Sequence, residues 1–158
     1  MSQPYYSRVA PVASQLSGDI IIPADLVEIL PKEIQIDIIK AQTCFEFSKQ
    51  SPHPIYEACA IYLRKVLATA IVIRFQRDGK DKKLYNKDHQ PFKLKTMVEL
   101  AKQQNYISNS LSKQLIRIKW MGNIGVHDNK IKLKETDIQP IFQLMRFTFE
   151  HLFYNNQN

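Results

Sequence analysis

Apolar residues recur at helical intervals along most of the chain, and the first clear run follows Pro31. Ile34, Ile38, Ala41 and Phe45 are separated by four, three and four residues, a spacing that puts them on one face of an α-helix. Proline is favoured in the first turn of a helix, and the Ser-Pro-His-Pro sequence at residues 51–54 opposes its continuation. The pattern therefore predicts a first helix between residues 31 and 50.

Four more segments carry the same signal, and the sequence shows no internal repeat, coiled-coil heptad or β-hairpin pattern. The first of the four has apolar residues on two faces, so we expect it to be a central, nearly buried helix. The set predicts an all-α protein, an antiparallel bundle of four or five helices. The predicted helices lie at about Ile55–Asp78, at about Lys93–Gln104, from Ser108 or Ser110 onward, and after Thr136, and residues 80–92 form a connection too polar to be core.

The first 29 residues lack any sustained period. Proline, serine and glycine are scattered there among short apolar pieces, so we interpret this part as an irregular leader with a short strand-like or docking segment at Asp19–Ile22. A chain of 158 residues is long enough for one domain with its own core. The predicted organisation is a leader at residues 1–29 and a helical domain at residues 30–158.

The two cysteines and the lengths of the apolar runs indicate a compartment. Cys44 and Cys59 lie in helical patterns without the spacing of metal ligands, which favours buried, reduced thiols over a disulfide or a zinc site. No apolar run approaches the length of a membrane span, and the N-terminus lacks a charged segment followed by an apolar one. We therefore expect a cytoplasmic protein without a metal, a cofactor or a membrane anchor.

The net charge of +7 is uneven along the chain. Acidic residues outnumber basic ones in the first 30 residues, whereas the polar connection is rich in lysine and includes Lys80, Lys82 and Lys83. Since lysine and arginine supply most of the sequence-independent affinity for phosphates, this excess fits a nucleic-acid partner. A lysine-rich surface that only keeps the protein soluble explains the charge equally well.

A polar stripe is predicted at the C-terminal end of the fourth helical segment. If the helix runs on through this stretch, Lys119, Asn123 and His127 follow one another at intervals of four residues on one face. The only tryptophan, Trp120, and two of the four glycines lie in the same nine residues, 119–127, which indicates close packing. No other constellation of catalytic groups appears in the sequence, so this stretch is the candidate site.

Two sequence motifs carry a resemblance to a known family: YLRKVL at residues 62–67 in the central helix, and GNIGVH at residues 122–127. Over about residues 30–154 the chain resembles the HEPN-like helical bundles of a bacterial and phage family of unknown function, DUF4145. The resemblance implies a bundle that often dimerises. In active members of the wider superfamily, an Arg followed after four to six residues by a His forms a metal-independent ribonuclease site in the dimer cleft.

The resemblance implies roles for several residues of the candidate site. His127 would accept the proton of a ribose 2′-hydroxyl, because an imidazole has a pKa near neutrality. Lys119 or Arg117 would hold the scissile phosphate as negative charge builds, and Asn123 belongs to the same cluster. Such a site needs no metal ion.

The sequence departs from the family pattern at three positions. The window of the expected Arg holds Trp-Met-Gly at residues 120–122. Ala68 stands where similar sequences usually have Glu, one turn after Arg64. Asn129 stands where toxins silenced by nucleotide transfer carry a Tyr. These differences argue against assuming catalysis.

A purely structural interpretation of the same residues competes with the functional one. Gly122 and Asn123 suit a helix C-cap, and His127 could bond a backbone carbonyl. Trp120 could be a core aromatic, or it could stack on a base. Arg64 either extends into solvent or is held by a partner at the site.

We therefore expect a homodimeric module that binds or cleaves RNA or another nucleic acid in a defence or toxin-type system. The alternative is a non-catalytic protein-interaction or dimerisation subunit of a larger complex. An exposed apolar patch beside Trp120 favours that alternative, whereas a basic cleft favours nucleic acid. The candidate catalytic residues are His127, Asn123 and Lys119, and the candidate nucleic-acid-binding residues are Arg64, Arg117, Trp120, Lys80, Lys82 and Lys83.

Overall fold

The computed structural model describes residue 22, residues 24–127 and residues 131–154. These residues form six α-helices and no β-strand, and their one β-bridge, between Tyr85 and Pro91, is isolated. The prediction of an all-α bundle is confirmed. The helices are α1 (Ala24–Ile29), α2 (Lys32–Gln50), α3 (Tyr56–Arg77), α4 (Leu94–Gln103), α5 (Asn109–His127) and α6 (Glu135–Phe149), with a 3-10 helix at Asp81–Leu84 and a π-helix at Glu150–Tyr154.

Helix α3 is the centre of the bundle, as its two apolar faces predicted. It packs against α2, α4, α5 and α6, and it buries residues along its whole length. Two hydrogen bonds show that α3 and α5 run antiparallel. One joins Arg64, in the first half of α3, to Asn123 near the end of α5. The other joins Asp78, just after α3, to Tyr106, just before α5 begins.

Helix α5 is continuous through the candidate site. It starts after Ser108, whose Oγ accepts a hydrogen bond from the Leu111 amide at 3.0 Å, so of the two predicted starting residues, Ser108 and Ser110, the N-cap is Ser108. Gly122 and Asn123 lie inside the helix, which ends at His127. The interpretation of these two residues as a C-cap is therefore wrong.

The last helix begins slightly earlier than predicted. Glu135 is its first residue, and the Asp137 carboxylate accepts a hydrogen bond from the Lys134 amide at 2.8 Å. A side chain that satisfies an amide ahead of the first turn favours an earlier start. The helix then passes directly into the π-helical turn at Glu150–Tyr154.

The connection at residues 80–92 contributes a residue to the core, although the sequence indicated that it is too polar to do so. The 3-10 helix buries Leu84 completely, so the interpretation of the whole segment as too polar for the core is wrong at this residue. The Asn86 carboxamide accepts hydrogen bonds from the amides of Asp88 and Gln90, both at 2.9 Å. These bonds and the Tyr85–Pro91 bridge give the connection a defined turn.

Part of the predicted leader is helical. Helix α1 buries Leu26 and Val27 in the core, although its six residues are too few to show a period in the sequence. Ile22 is also buried, and its carbonyl accepts a hydrogen bond from Gln42 Nε2 at 3.2 Å. The other residues of the predicted strand-like segment, 19–21, lie outside the described residues.

Both cysteines are free thiols. Cys59 is buried and donates a hydrogen bond from Sγ to the Ala41 carbonyl at 3.1 Å, and burial raises the pKa of its thiol. Cys44 is only half-buried. None of the described helices has both the length and the hydrophobicity needed to cross a membrane.

Candidate nucleic-acid interface

The candidate site is the place where α3 crosses α5. Arg64 Nη1 donates a hydrogen bond to Asn123 Oδ1 at 2.7 Å, and both side chains are half-buried. The bond joins residues that are 59 positions apart in the sequence. Of the two alternatives for Arg64, the structure shows the second, a guanidinium held at the site.

Gly122 makes this crossing possible. A methyl group in its place would lie 2.7 Å from Cδ and 3.0 Å from Cβ of Arg64. The Cβ atom is fixed by the backbone of α3, so a larger residue would have to push the two helices apart. The stem of Arg64 therefore lies directly over the backbone of α5, and only glycine leaves room for it.

Arg64 has no carboxylate partner among the described residues. Its partner among the described residues is a neutral carboxamide, which uses one of the five N–H donors of the guanidinium. Ala68, one turn further along α3, supplies no carboxylate. By contrast, the neighbouring Lys65 pairs with the buried Asp37 of α2, with Nζ 3.1 Å from Oδ2. Of the two neighbouring cations Arg64 and Lys65, Arg64 is therefore the one that remains available to bind an anion.

The polar stripe predicted on α5 has the expected backbone register. Lys119 is half-buried one turn before Asn123, and His127 is the last residue of the helix, one turn after it. The side chain of His127 lies outside the described residues. The structure therefore places Arg64 next to Asn123 and places Lys119 one turn before Asn123 on the same helix. The catalytic assignment of His127 stays a prediction.

The outer face of α5 is basic and carries the tryptophan. Trp120 is 57% exposed, so its interpretation as a core aromatic is wrong. Arg117 and Lys113, one and two turns earlier, are also exposed. Helix α5 contains no acidic residue from Asn109 to His127. This face therefore offers positive charge and an aromatic ring without a competing carboxylate on the same helix.

The second group of candidate residues lies at the other end of the bundle. Lys80, Lys82 and Lys83 follow the C-terminus of α3, about 20 Å along the helix axis from Arg64. Lys82 and Lys83 are exposed, whereas Lys80 donates a hydrogen bond to Gln104 Oε1 at 3.0 Å. The structure thus divides the candidate residues between two separate surfaces.

Sequence reasoning missed the contribution of Glu57. Its carboxylate accepts a hydrogen bond from the Leu133 amide at 3.0 Å, and Leu133 is buried. Glu57 lies two turns before Arg64 on the same side of α3, so it ties the segment after α5 to the end of the site. No local signal predicts this contact, because it joins residues 76 positions apart.

These features define a class of protein: an all-α bundle in which an arginine without a carboxylate partner among the described residues lies where α3 crosses α5. The model of the family described as domain of unknown function (DUF4145) matches residues 46–157, well over half of the chain. The chain therefore belongs to the DUF4145 family. No curated protein and no solved structure shows a significant match.

Proposed function

We propose that this chain is a HEPN-like module that binds RNA, with the crossing of α3 and α5 as the phosphate-binding part of its site. One observation carries the proposal. The Arg64 guanidinium is oriented by a neutral amide, Asn123, at 2.7 Å and has no carboxylate partner among the described residues. A cation held in this way is ready to donate charge-assisted hydrogen bonds to a phosphate.

The outer face of α5 supports a nucleic acid over a small anion. Lys113, Arg117 and Lys119 extend the positive charge along the helix, and no acid interrupts it. The exposed Trp120 adds a flat surface on which an unpaired base can stack. Cations that follow a phosphate backbone beside an aromatic ring favour a single-stranded ligand.

Cleavage requires a proton acceptor next to the bound phosphate, and His127 is the candidate for that group. In the proposed reaction His127 removes the proton of the ribose 2′-hydroxyl, and the 2′-oxygen attacks phosphorus as the bond to the 5′-oxygen breaks. The departing 5′-oxygen takes up a proton from water. The products would be a cyclic phosphate and a 5′-hydroxyl end. Arg64 would stabilise the negative charge that builds on the phosphoryl oxygens.

Fluorescence anisotropy with a labelled single-stranded RNA tests the binding proposal. Arg64→Gln is expected to lower affinity about tenfold, as loss of a charged hydrogen bond predicts. It should also reduce the slope of log affinity against log salt by about 0.7. Arg77→Gln is the matched control, since Arg77 is an exposed arginine at the far end of α3. Equal losses in both variants would contradict a site at the crossing.

The same proteins test cleavage in EDTA. Wild-type protein that releases cyclic-phosphate ends, with the activity lost in His127→Ala, would establish a ribonuclease. RNA retained without cleavage would establish a binding module. An absence of both retention and cleavage would contradict the proposed function.

One observation favours a second candidate, self-association. Helix α2 has an exposed apolar stripe opposite its buried face, formed by Ile36, Ile39 and Phe47, which are 59%, 54% and 53% exposed. Thr43 and the exposed Lys40 lie between them on the same side. Because a two-fold dimer buries one patch against its own copy, a straight apolar stripe on one helix suits a homodimer. This contact would leave the crossing of α3 and α5 accessible.

A further inference from the structure

A second concave surface lies between the first half of α5 and the middle of α6. The cavity has a volume of about 520 Å³, within the range of small-molecule sites. It is distinct from the crossing of α3 and α5, because Gln114 in its wall precedes Asn123 by nine residues, about 13 Å along the helix. The side chains that line it include Leu111, Leu144, Phe147, Gln114, Gln143 and Ser110.

The walls of this groove combine apolar side chains with neutral polar ones and one imidazole. Among the described residues, no aspartate, glutamate, lysine or arginine lines the cavity, so the groove lacks the side chains that usually pair with a strongly charged group. Its polar groups are serine hydroxyls, the carboxamides of Gln114 and Gln143, and the imidazole of His151. Among the described residues, the hydrogen bond of the Gln114 side chain is a long one, from Nε2 to Ser110 Oγ at 3.5 Å, which a ligand can replace at little cost.

Phe147 gives the groove a flat wall. Its ring is 58% exposed and lies nearly parallel to the ring of His151, with 27° between the planes and 6.3 Å between the centroids. The Phe147 carbonyl accepts a hydrogen bond from His151 Nδ1 at 2.8 Å, which fixes the orientation of the imidazole. A large aromatic face is thus held in place beside an open cavity.

We propose that the groove between α5 and α6 binds a purine base. A purine has two apolar faces that stack on an aromatic ring, and its edge alternates hydrogen-bond donors and acceptors. A glutamine carboxamide presents one donor and one acceptor side by side, which matches the adenine edge. The groove supplies both elements and, among the described residues, no lysine or arginine, so it recognises the base rather than the phosphate. This site goes beyond the proposed RNA contact at Arg64 and does not depend on it.

Isothermal titration with adenosine tests the proposal, with ribose as the ligand that lacks a base. Saturable binding of adenosine and none of ribose is the expected result. Phe147→Ala should weaken adenosine binding about tenfold or more, and Gln143→Ala should also weaken it. Both residues are exposed, so these variants are expected to fold. Tyr85→Ala is the control, because it removes an exposed aromatic residue outside the groove and outside the proposed RNA contact.

Two further measurements separate the sources of the base. If oligoadenylate binding is also weakened by Phe147→Ala, the base belongs to a bound strand; if only adenosine binding is weakened, the ligand is a free nucleoside or nucleotide. Arg64→Gln should leave adenosine binding unchanged, so failure of the RNA proposal is distinguishable from failure of this one. No saturable binding up to the solubility limit of adenosine, or equal effects of Phe147→Ala and Tyr85→Ala, would overturn the assignment.

Discussion

Gly122 of α5 lies so close to Arg64 of α3 that a methyl group in its place would be 2.7 Å from Cδ of the arginine. We therefore predict that Gly122→Ala lowers the free energy of unfolding by about 1 kcal/mol, since overpacking costs more than the better helix propensity of alanine gains. Because the substitution also displaces the guanidinium, RNA affinity should fall as in Arg64→Gln. Urea unfolding and RNA anisotropy measure the two effects.

An Arg64→Ala background isolates the steric part of this prediction. Removing Cδ leaves only the 3.0 Å contact with Cβ, so Gly122→Ala should cost less in this background. Gly79→Ala is the control: Gly79 has nothing within 4 Å, but its φ of +66° costs alanine about 1 kcal/mol. That cost should be the same in both backgrounds. An equal cost of Gly122→Ala with and without the arginine side chain would contradict the packing argument.

The neutral character of Asn123 is expected to matter for binding rather than for folding. Asn123→Asp keeps an oxygen acceptor for Arg64 and adds a charge that pairs with it, so stability at pH 7 should be unchanged or higher by up to about 1 kcal/mol. RNA affinity should fall about tenfold, because the carboxylate occupies the guanidinium and repels phosphate. Anisotropy and urea unfolding are measured on the same preparation.

Asn109→Asp is the matched control for this substitution. It makes the same change of net charge on the same helix, at the first residue of α5, where a negative charge is favourable. Its RNA affinity should stay close to that of the wild type. A comparable loss in both variants would show that net charge, and not the Arg64 partner, controls binding.

A separate cluster at the far end of α3 predicts a pH dependence of stability. Tyr106 donates a hydrogen bond to Asp78 Oδ2 at 2.5 Å, and the Arg74 guanidinium lies over the Tyr106 ring at 4.3 Å. Burial, together with the hydrogen bond and negative charge of Asp78, raises the pKa of Tyr106 to about 12. The hydrogen bond from Tyr106, with the charge of Arg74, lowers the pKa of Asp78.

The direction of each shift fixes its pH window. The raised pKa of Tyr106 stabilises the fold fully below pH 10, and this contribution is lost between about pH 10 and 12. The lowered pKa of Asp78 stabilises the fold above about pH 4, and this contribution is lost as the pH falls through its folded value. Tyr106→Phe should lower the free energy of unfolding by about 1 kcal/mol at pH 7. It should also reduce the change of stability with pH in both windows.

Urea unfolding from pH 3 to about pH 12 measures these windows, and Tyr85→Phe serves as a control because Tyr85 is exposed. The control should keep the wild-type profile. An unchanged alkaline slope in Tyr106→Phe would show that another group controls stability there.

Local periodicity was enough to predict most of the fold. The spacing of Leu111, Leu115 and Ile118 continues through Gly122 and favours a continuous α5, although the sequence alone left a C-cap at Gly122 and Asn123 open. The exposure of Trp120 was predictable too, because a residue two positions after Ile118 lies about 200° around the helix from it. The pattern failed at α1 and Leu84, since a short helix and a single buried leucine show no period.

The arrangement of the site was only partly predictable. The sequence placed Lys119, Asn123 and His127 on one stripe, but the partner of Asn123 depends on how α3 and α5 cross. That geometry is set by Gly122, and no local pattern around Arg64 encodes it. Sequence reasoning also grouped Lys80 with Arg64, because net charge carries no information on distance.

The exposed stripe on α2 leads to a final prediction about self-association. If it forms the contact between two copies, Ile39→Ser and Phe47→Ser should each shift the protein toward monomer, since each loses buried apolar area on both sides of a two-fold interface. Multi-angle light scattering over a dilution series measures this shift. Stability of the monomer should be nearly unaffected, because both side chains already face solvent.

Ile131→Ser is the control for this experiment, because Ile131 is a similarly exposed apolar residue outside α2. It should leave the assembly unchanged. A wild-type protein that is monomeric at every concentration would remove self-association as a function of the stripe. RNA affinity measured on the Phe47→Ser monomer then decides whether one copy suffices: because Arg64 and Asn123 come from the same chain, binding through Arg64 should persist, whereas a site completed by a second copy would lose it.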